Sequence, residues 1–188
     1  MKIIAIAAVT AGGKTTVVNE VKKQLKNVKS LHFDDYSFDG EVDDFYAWVM
    51  QGADYNVWDL SPLIKDICEI KKNESCDYLL LDYPFAYCHK ELSKWIDCAI
   101  FIDTPLDIAM ARRVLRDMRN ATGEEIRQDM EIYLKYARVA YTQMRKDIMP
   151  SSDYVIDGTK ELRKMVEEIK GIIENMDQNG VGNCCKVQ

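Results

Sequence analysis

Residues 3–16 read Ile3-Ile4-Ala5-Ile6-Ala7-Ala8-Val9-Thr10-Ala11-Gly12-Gly13-Lys14-Thr15-Thr16, and their order decides the fold. The apolar run Ile3–Ala7 predicts a strand buried on both faces of a parallel sheet. The small segment Thr10-Ala11-Gly12-Gly13 predicts a tight loop, and Val17, Val18, Val21 and Leu25 give the following residues a helical period. Strand, glycine loop, Lys-Thr and helix, in that order, make a phosphate-binding loop. Successive backbone N–H groups line such a loop, and the helix N-terminus adds partial positive charge. Thr10, Ala11, Gly12, Gly13, Lys14, Thr15 and Thr16 are therefore the expected nucleotide-binding residues. Lys14 would reach the β- and γ-phosphates, and the Thr15 hydroxyl would hold Mg²⁺. Ala8 stands where this motif has its first glycine, a position that takes a small residue if its φ is negative.

The rest of the chain fits a domain of this kind. Its 188 residues suit one domain with a small lid, and 47% hydrophobic residues are enough for a core. A net charge of −6 argues against nucleic acid and anionic membranes as partners. Neither the six cysteines nor the two histidines fall at zinc-ligand spacing. No apolar run reaches membrane-spanning length, and the short N-terminal run is no secretory leader. The expected setting is a reducing cytoplasm, and the expected state a monomer or homodimer. Residues 177–188 read as a polar, disordered tail. The C-a-a-X outline of Cys185-Lys186-Val187-Gln188 lacks the basic flank of a lipid anchor.

Four more short apolar runs follow: Val28–Phe33, Tyr78–Asp82, Cys98–Asp103 and Tyr154–Asp157. Helical patterns separate them. One starts at Ser61-Pro62, one after Thr104-Pro105, a long one spans Glu124–Ile148 and stops at Pro150, and the last spans Glu161–Met176. The prediction is an α/β, three-layer P-loop NTPase fold over residues 1–176, with a five-stranded parallel sheet and a small helical lid near residues 113–128. Ligands bind beyond the carboxyl ends of such strands. Those ends carry the loop, Asp34-Asp35, Asp82-Tyr83, Asp103-Thr104 and Asp157-Gly158-Thr159.

Phosphoryl transfer to an alcohol needs a carboxylate to orient the hydroxyl, and Asp34 is the expected one. Asp82, after three leucines, has the Walker B outline and would hold Mg²⁺ with Thr15. The transferred group also needs cations. Arg113 and Arg116 are expected to act on it, with Arg112 nearer the nucleotide. Eight aromatics crowd the connections after the second and third strands, and Tyr55 is the one singled out to stack on a flat ring.

Several motifs resemble the uridine kinase and nicotinamide riboside kinase group of P-loop kinases. They are Val9-Thr10-x-x-Gly13-Lys14-Thr15-Thr16, Leu31-His32-Phe33-Asp34-Asp35-Tyr36, Ile100–Thr104 followed by Arg112-Arg113-x-x-Arg116-Asp117, and Asp157-Gly158-Thr159-Lys160. Tyr133–Tyr136, Asp157-Gly158-Thr159-Lys160 and Asp54-Tyr55-Asn56-Val57 resemble the nicotinamide riboside kinase branch in particular. The resemblance implies ATP and Mg²⁺, with Asp34 catalytic. It places Asp35, Tyr36, Tyr55, Asn56 and Tyr83 on the substrate side, and Gly158 and Thr159 near the adenine. This chain departs from the group at Asn56 in place of Asp, Asp82-Tyr83 in place of Glu-Gly, and Phe33 in place of Gln.

The expected activity is ATP-dependent phosphorylation of a primary alcohol, the ribose 5′-hydroxyl of a nucleoside foremost. Nicotinamide riboside or a non-nucleoside alcohol is the alternative acceptor. A nucleotide-binding regulator without acceptor chemistry is the alternative class. A GTPase switch is disfavoured because Asp82-Tyr83-Pro84-Phe85 is not D-x-x-G and no N-K-x-D occurs.

Overall fold

The computed structural model describes residues 1–178 apart from Glu41 and Glu74. Five strands form one parallel sheet in the order β2-β3-β1-β4-β5. They are β1 (Lys2–Ala7), β2 (Val28–His32), β3 (Tyr78–Asp82), β4 (Cys98–Asp103) and β5 (Tyr154–Asp157). The helices are α1 (Lys14–Gln24), α2 (Phe45–Met50), α3 (Ser61–Asn73), α4 (Lys90–Ser93), α5 (Leu106–Asp117), α6 (Gly123–Ile132), α7 (Arg138–Ser151) and α8 (Leu162–Gln178). Short 3₁₀ turns occupy Phe33–Asp35 and Tyr55–Val57.

Alternation along the strands divides the core in two. Ile4, Ile6, Leu80, Ile100, Ile102 and Ile156 face α1 and α8, meeting Val17, Val21, Met165, Val166 and Ile169. Ile3, Ala5, Leu79, Leu81 and Phe101 face the other way, onto α3, α7 and the aromatic connection. The sheet is thus covered on both faces, which is why its strands read as continuous apolar runs. This is the expected three-layer α/β arrangement. Parallel register brings the strand ends together: Ile6 pairs with Asp82, Asp82 with His32, and Asp103 with Asp157.

The long helix expected over Glu124–Ile148 is two helices joined by a π turn at Tyr133–Ala137. The wider turn inserts a residue without breaking the helical run, so apolar spacing alone does not reveal it. Pro150 lies within the last turn of α7, which ends at Ser151. Thr122 opens α6 with a reciprocal capping box to Glu125. The last helix continues past Met176 to Gln178. Glu41, in the acidic connection, and the rest of the tail with Cys184-Cys185 lie outside the described residues.

Candidate active site

The loop after β1 is held open from beneath. The Gly12 N–H donates to the Val9 carbonyl at 2.9 Å. A Cβ on Gly12 would lie 2.8 Å from both the Ala8 Cβ and the Val9 oxygen. Gly13 caps α1 with φ 103°, a conformation that favours glycine. Ala8 is buried in the core and is not among the positive-φ residues, so its Cβ costs nothing there. The first N–H groups of α1 have no acceptor within the helix and open onto the loop's concavity.

Three side chains converge on Asp82 at the end of β3. Lys14 Nζ lies 2.7 Å from Oδ1, the Thr15 hydroxyl donates to Oδ2 at 2.6 Å, and His32 Nδ1 is 3.1 Å from Oδ2. Ser30 extends the chain, 3.2 Å from His32 Nε2, and Lys22 Nζ donates to Ser30 at 3.1 Å. Burial alone would push the Asp82 carboxyl up; Lys14, Thr15 and His32 outweigh it and hold the group below the usual carboxylate range. Thr15 and Asp82 are a hard-oxygen pair that could hold Mg²⁺. Mg²⁺ is bound by one or two carboxylates and the substrate's phosphates, so one acid here fits such a site.

Thr104, read from sequence as a strand-end and helix-start residue without a role of its own, ties the loop to β4. It is buried and its hydroxyl donates to the Gly12 carbonyl at 2.8 Å. Gly158 packs on it, and a Cβ there would stand 2.0 Å from Thr104 Oγ1. Gly158 is therefore packed against Thr104 behind the loop and does not line the cleft. Thr159 turns back as well, with both N–H and hydroxyl on Asp157 at 2.9 and 2.6 Å. Lys160, Leu162 and Met165 line that end of the cleft instead.

The cleft itself measures about 610 Å³ and runs from the loop past Asp34 to α7. Residues 10–16, Asp34, Arg112 and Arg116 line it together. Arg113 does not. It turns to α6 and pairs with Asp129; adjacent Arg112 and Arg113 point to different sides of the helix, and it is Arg112 that shares the cleft side with Arg116. Arg116 is paired with Asp117 at 2.6 and 3.0 Å. The bond to Asp117, and more weakly the charge of Asp34, raise its pKa further.

The expected substrate-side residues are mostly turned away. Tyr55 is 5% exposed, donates to Asp147 at 3.0 Å, and sits edge-on to Trp48. Burial first, then Asp147, raises its pKa. It is a core side chain, not a stacking platform. Tyr83 is fully buried with its hydroxyl unpartnered. Tyr36 donates to Asp66 at 2.7 Å. Asn56 accepts from the Lys90 N–H and donates to Asp54, both at 2.8 Å. Asp35 is exposed beside Asp34 and does not line the cleft. Phe33, Phe45, Trp58 and Phe85 form the wall, together with Ala140, Tyr141 and Met144 of α7. The π turn immediately before Arg138 sets the rotation of α7, and no sequence signal announces that.

No family model matches the chain. It is similar to the uridine kinase of Borrelia duttonii (strain Ly), 25% identical over 177 residues that cover 82% of this chain and 84% of that one. It is also similar to the uridine kinase of Histophilus somni (strain 2336), 23% identical over 206 residues, covering 94% of this chain and 96% of that one. Among solved structures, the shikimate kinase of Bacteroides thetaiotaomicron aligns over 92% of this chain and 98% of its own, with a TM-score of 0.54 at 13% identity. That likeness concerns the fold alone. The chain is thus similar over most of its length to uridine kinases, on a fold it shares with P-loop kinases.

Proposed function

We propose that the protein transfers the γ-phosphate of ATP to a primary alcohol, as at the 5′-hydroxyl of a nucleoside. The observation that carries this reading is the shared cleft: Asp34 and Arg116 line the same space as the phosphate loop and Lys14. The amides of residues 10–16 and Lys14 grip the triphosphate. To do so Lys14 exchanges its bond with Asp82 for the phosphate oxygens. Thr15 and Asp82 would hold Mg²⁺, which supplies charge neutralisation at the phosphates when bound. Asp34 accepts a hydrogen bond from the acceptor hydroxyl and aims its oxygen. The new O–P bond forms as the bond from phosphorus to the bridging oxygen of ADP breaks, and the hydroxyl proton passes to Asp34. Arg112 and Arg116 meet the charge on the transferred group. The uridine kinase names of the relatives favour a nucleoside acceptor.

An ADP-release screen over nucleosides, nicotinamide riboside and small alcohols tests this, with Lys14→Ala as the blank. Acceptor-dependent release is expected. Asp34→Asn should lower kcat by roughly 10²–10³-fold with the ATP dissociation constant unchanged. Release that ignores the acceptor, or survives Asp34→Asn at the parent rate, would defeat the reading.

A further inference from the structure

We propose that the acceptor is an alcohol with a flat, apolar body, held by ring contacts and by its reacting hydroxyl, with no grip on a vicinal diol. This rests on the phosphoryl-transfer reading above and departs from the ribonucleoside acceptor that the relatives' names favour. Beside Asp34 the cleft is walled by Phe33, Phe45, Trp58, Pro84, Phe85 and Met144. Phe85 is the hub of that wall, with its ring centre 5.4 Å from Phe33 and 4.7 Å from Trp58. Phe45, against Trp48 and Trp58, is 42% exposed and lines the cleft, so part of its ring is open to an incoming ring.

The groups that would hold a ribose diol point elsewhere. Among the described residues Asp34 is the one carboxylate that lines the cleft, and the attacking hydroxyl occupies it. Asn56, Tyr36 and Tyr55 spend their polar atoms on Lys90 and Asp54, on Asp66, and on Asp147. Lys160 lies at the far end, paired with Glu168 at 2.7 Å. With Arg112 and Arg116 given to the transferred phosphoryl group, the Tyr141 phenol is the polar side chain left on the acceptor side among the described lining residues, one group where a diol presents two hydroxyls. A diol pressed against this wall would lose its water without full replacement. Phe33, directly before Asp34, presents an apolar ring to the cleft beside the reacting hydroxyl, and we assign it the specificity role.

The test compares uridine, 2′,3′-dideoxyuridine and 2-(indol-3-yl)ethanol on the full-length protein. Acceptor-dependent ADP release gives kcat/KM. Calorimetric titration in the presence of a non-hydrolysable ATP analogue gives affinity. A site that hydrogen-bonds a hydroxyl rejects the analogue lacking it by as much as roughly 10⁴-fold. Here dideoxyuridine should match or exceed uridine in both readouts, and the indolyl alcohol should exceed uridine at least about tenfold, as ring burial without a desolvated diol requires. Phe33→Gln should cut that advantage severalfold. Uridine ahead of either analogue, or no binding by any of the three, overturns the inference. Binding in the expected order with no acceptor-dependent release leaves the ligand class standing and defeats the phosphoryl-transfer reading instead.

Discussion

At the donor end of the cleft, Lys14, Thr15 and His32 bond to one carboxylate across two neighbouring strands. At the acceptor end, aromatic rings from four separate stretches of chain meet, and the tyrosine hydroxyls behind them bond away from the cleft, to Asp66 and Asp147. The first is a polar network that joins the start of α1 to the ends of β2 and β3. The second is a packed aromatic surface whose polar atoms serve the fold. Phosphate recognition is one chemical task with one local solution. Acceptor recognition varies with whatever packs against the sheet edge.

The comparison breaks if donor-side substitutions spare activity. Lys14→Ala should lower kcat/KM on the order of 10³-fold, since it removes a preorganised cation from the phosphates. It also removes the partner at Asp82 Oδ1. Arg116→Ala should lower kcat about 10²-fold. Arg113→Ala should change kcat less than about threefold, and stability by about 1 kcal/mol, because its partner is Asp129 on α6. Equal kinetic losses at 113 and 116 would contradict the helix-face assignment.

Smaller effects sharpen the acceptor side. Tyr55→Phe should cost about 1 kcal/mol in denaturant unfolding, through the lost bond to Asp147, with kcat intact. A large rise in acceptor KM with unchanged stability would return Tyr55 to the substrate. Tyr83→Phe removes a buried hydroxyl that has no partner, so stability should stay level or rise by up to about 1 kcal/mol. A clear loss would mean that the hydroxyl has a role.

The five strands and the phosphate loop were readable in the sequence because each is a contiguous run of a few residues. The strand-end acids were readable for the same reason: Asp34 and Asp82 each follow such a run. Arg112 and Arg113 were not decidable from helical geometry, since each is one turn from Arg116; the structure resolves the choice, with Arg113 on Asp129 and Arg112 and Arg116 lining the cleft. Tyr55 and Tyr83 were not decidable. An aromatic residue in a long connection suits a ligand or a core equally, and the choice turns on α7, far along the chain. The π turn that rotates α7 keeps the apolar spacing intact, so the period gives no warning. Thr104 and His32 lay beside strand ends and could have been found by asking which polar neighbours face the loop.

A crystal soaked with a magnesium–ATP analogue tests the central claim most directly. The account predicts the triphosphate against the amides of residues 10–16, Lys14 moved from Asp82 onto its oxygens, and Asp34 facing the γ-phosphate across the aromatic wall. A triphosphate bound elsewhere, or one seated in the loop with Lys14 still on Asp82, would contradict it.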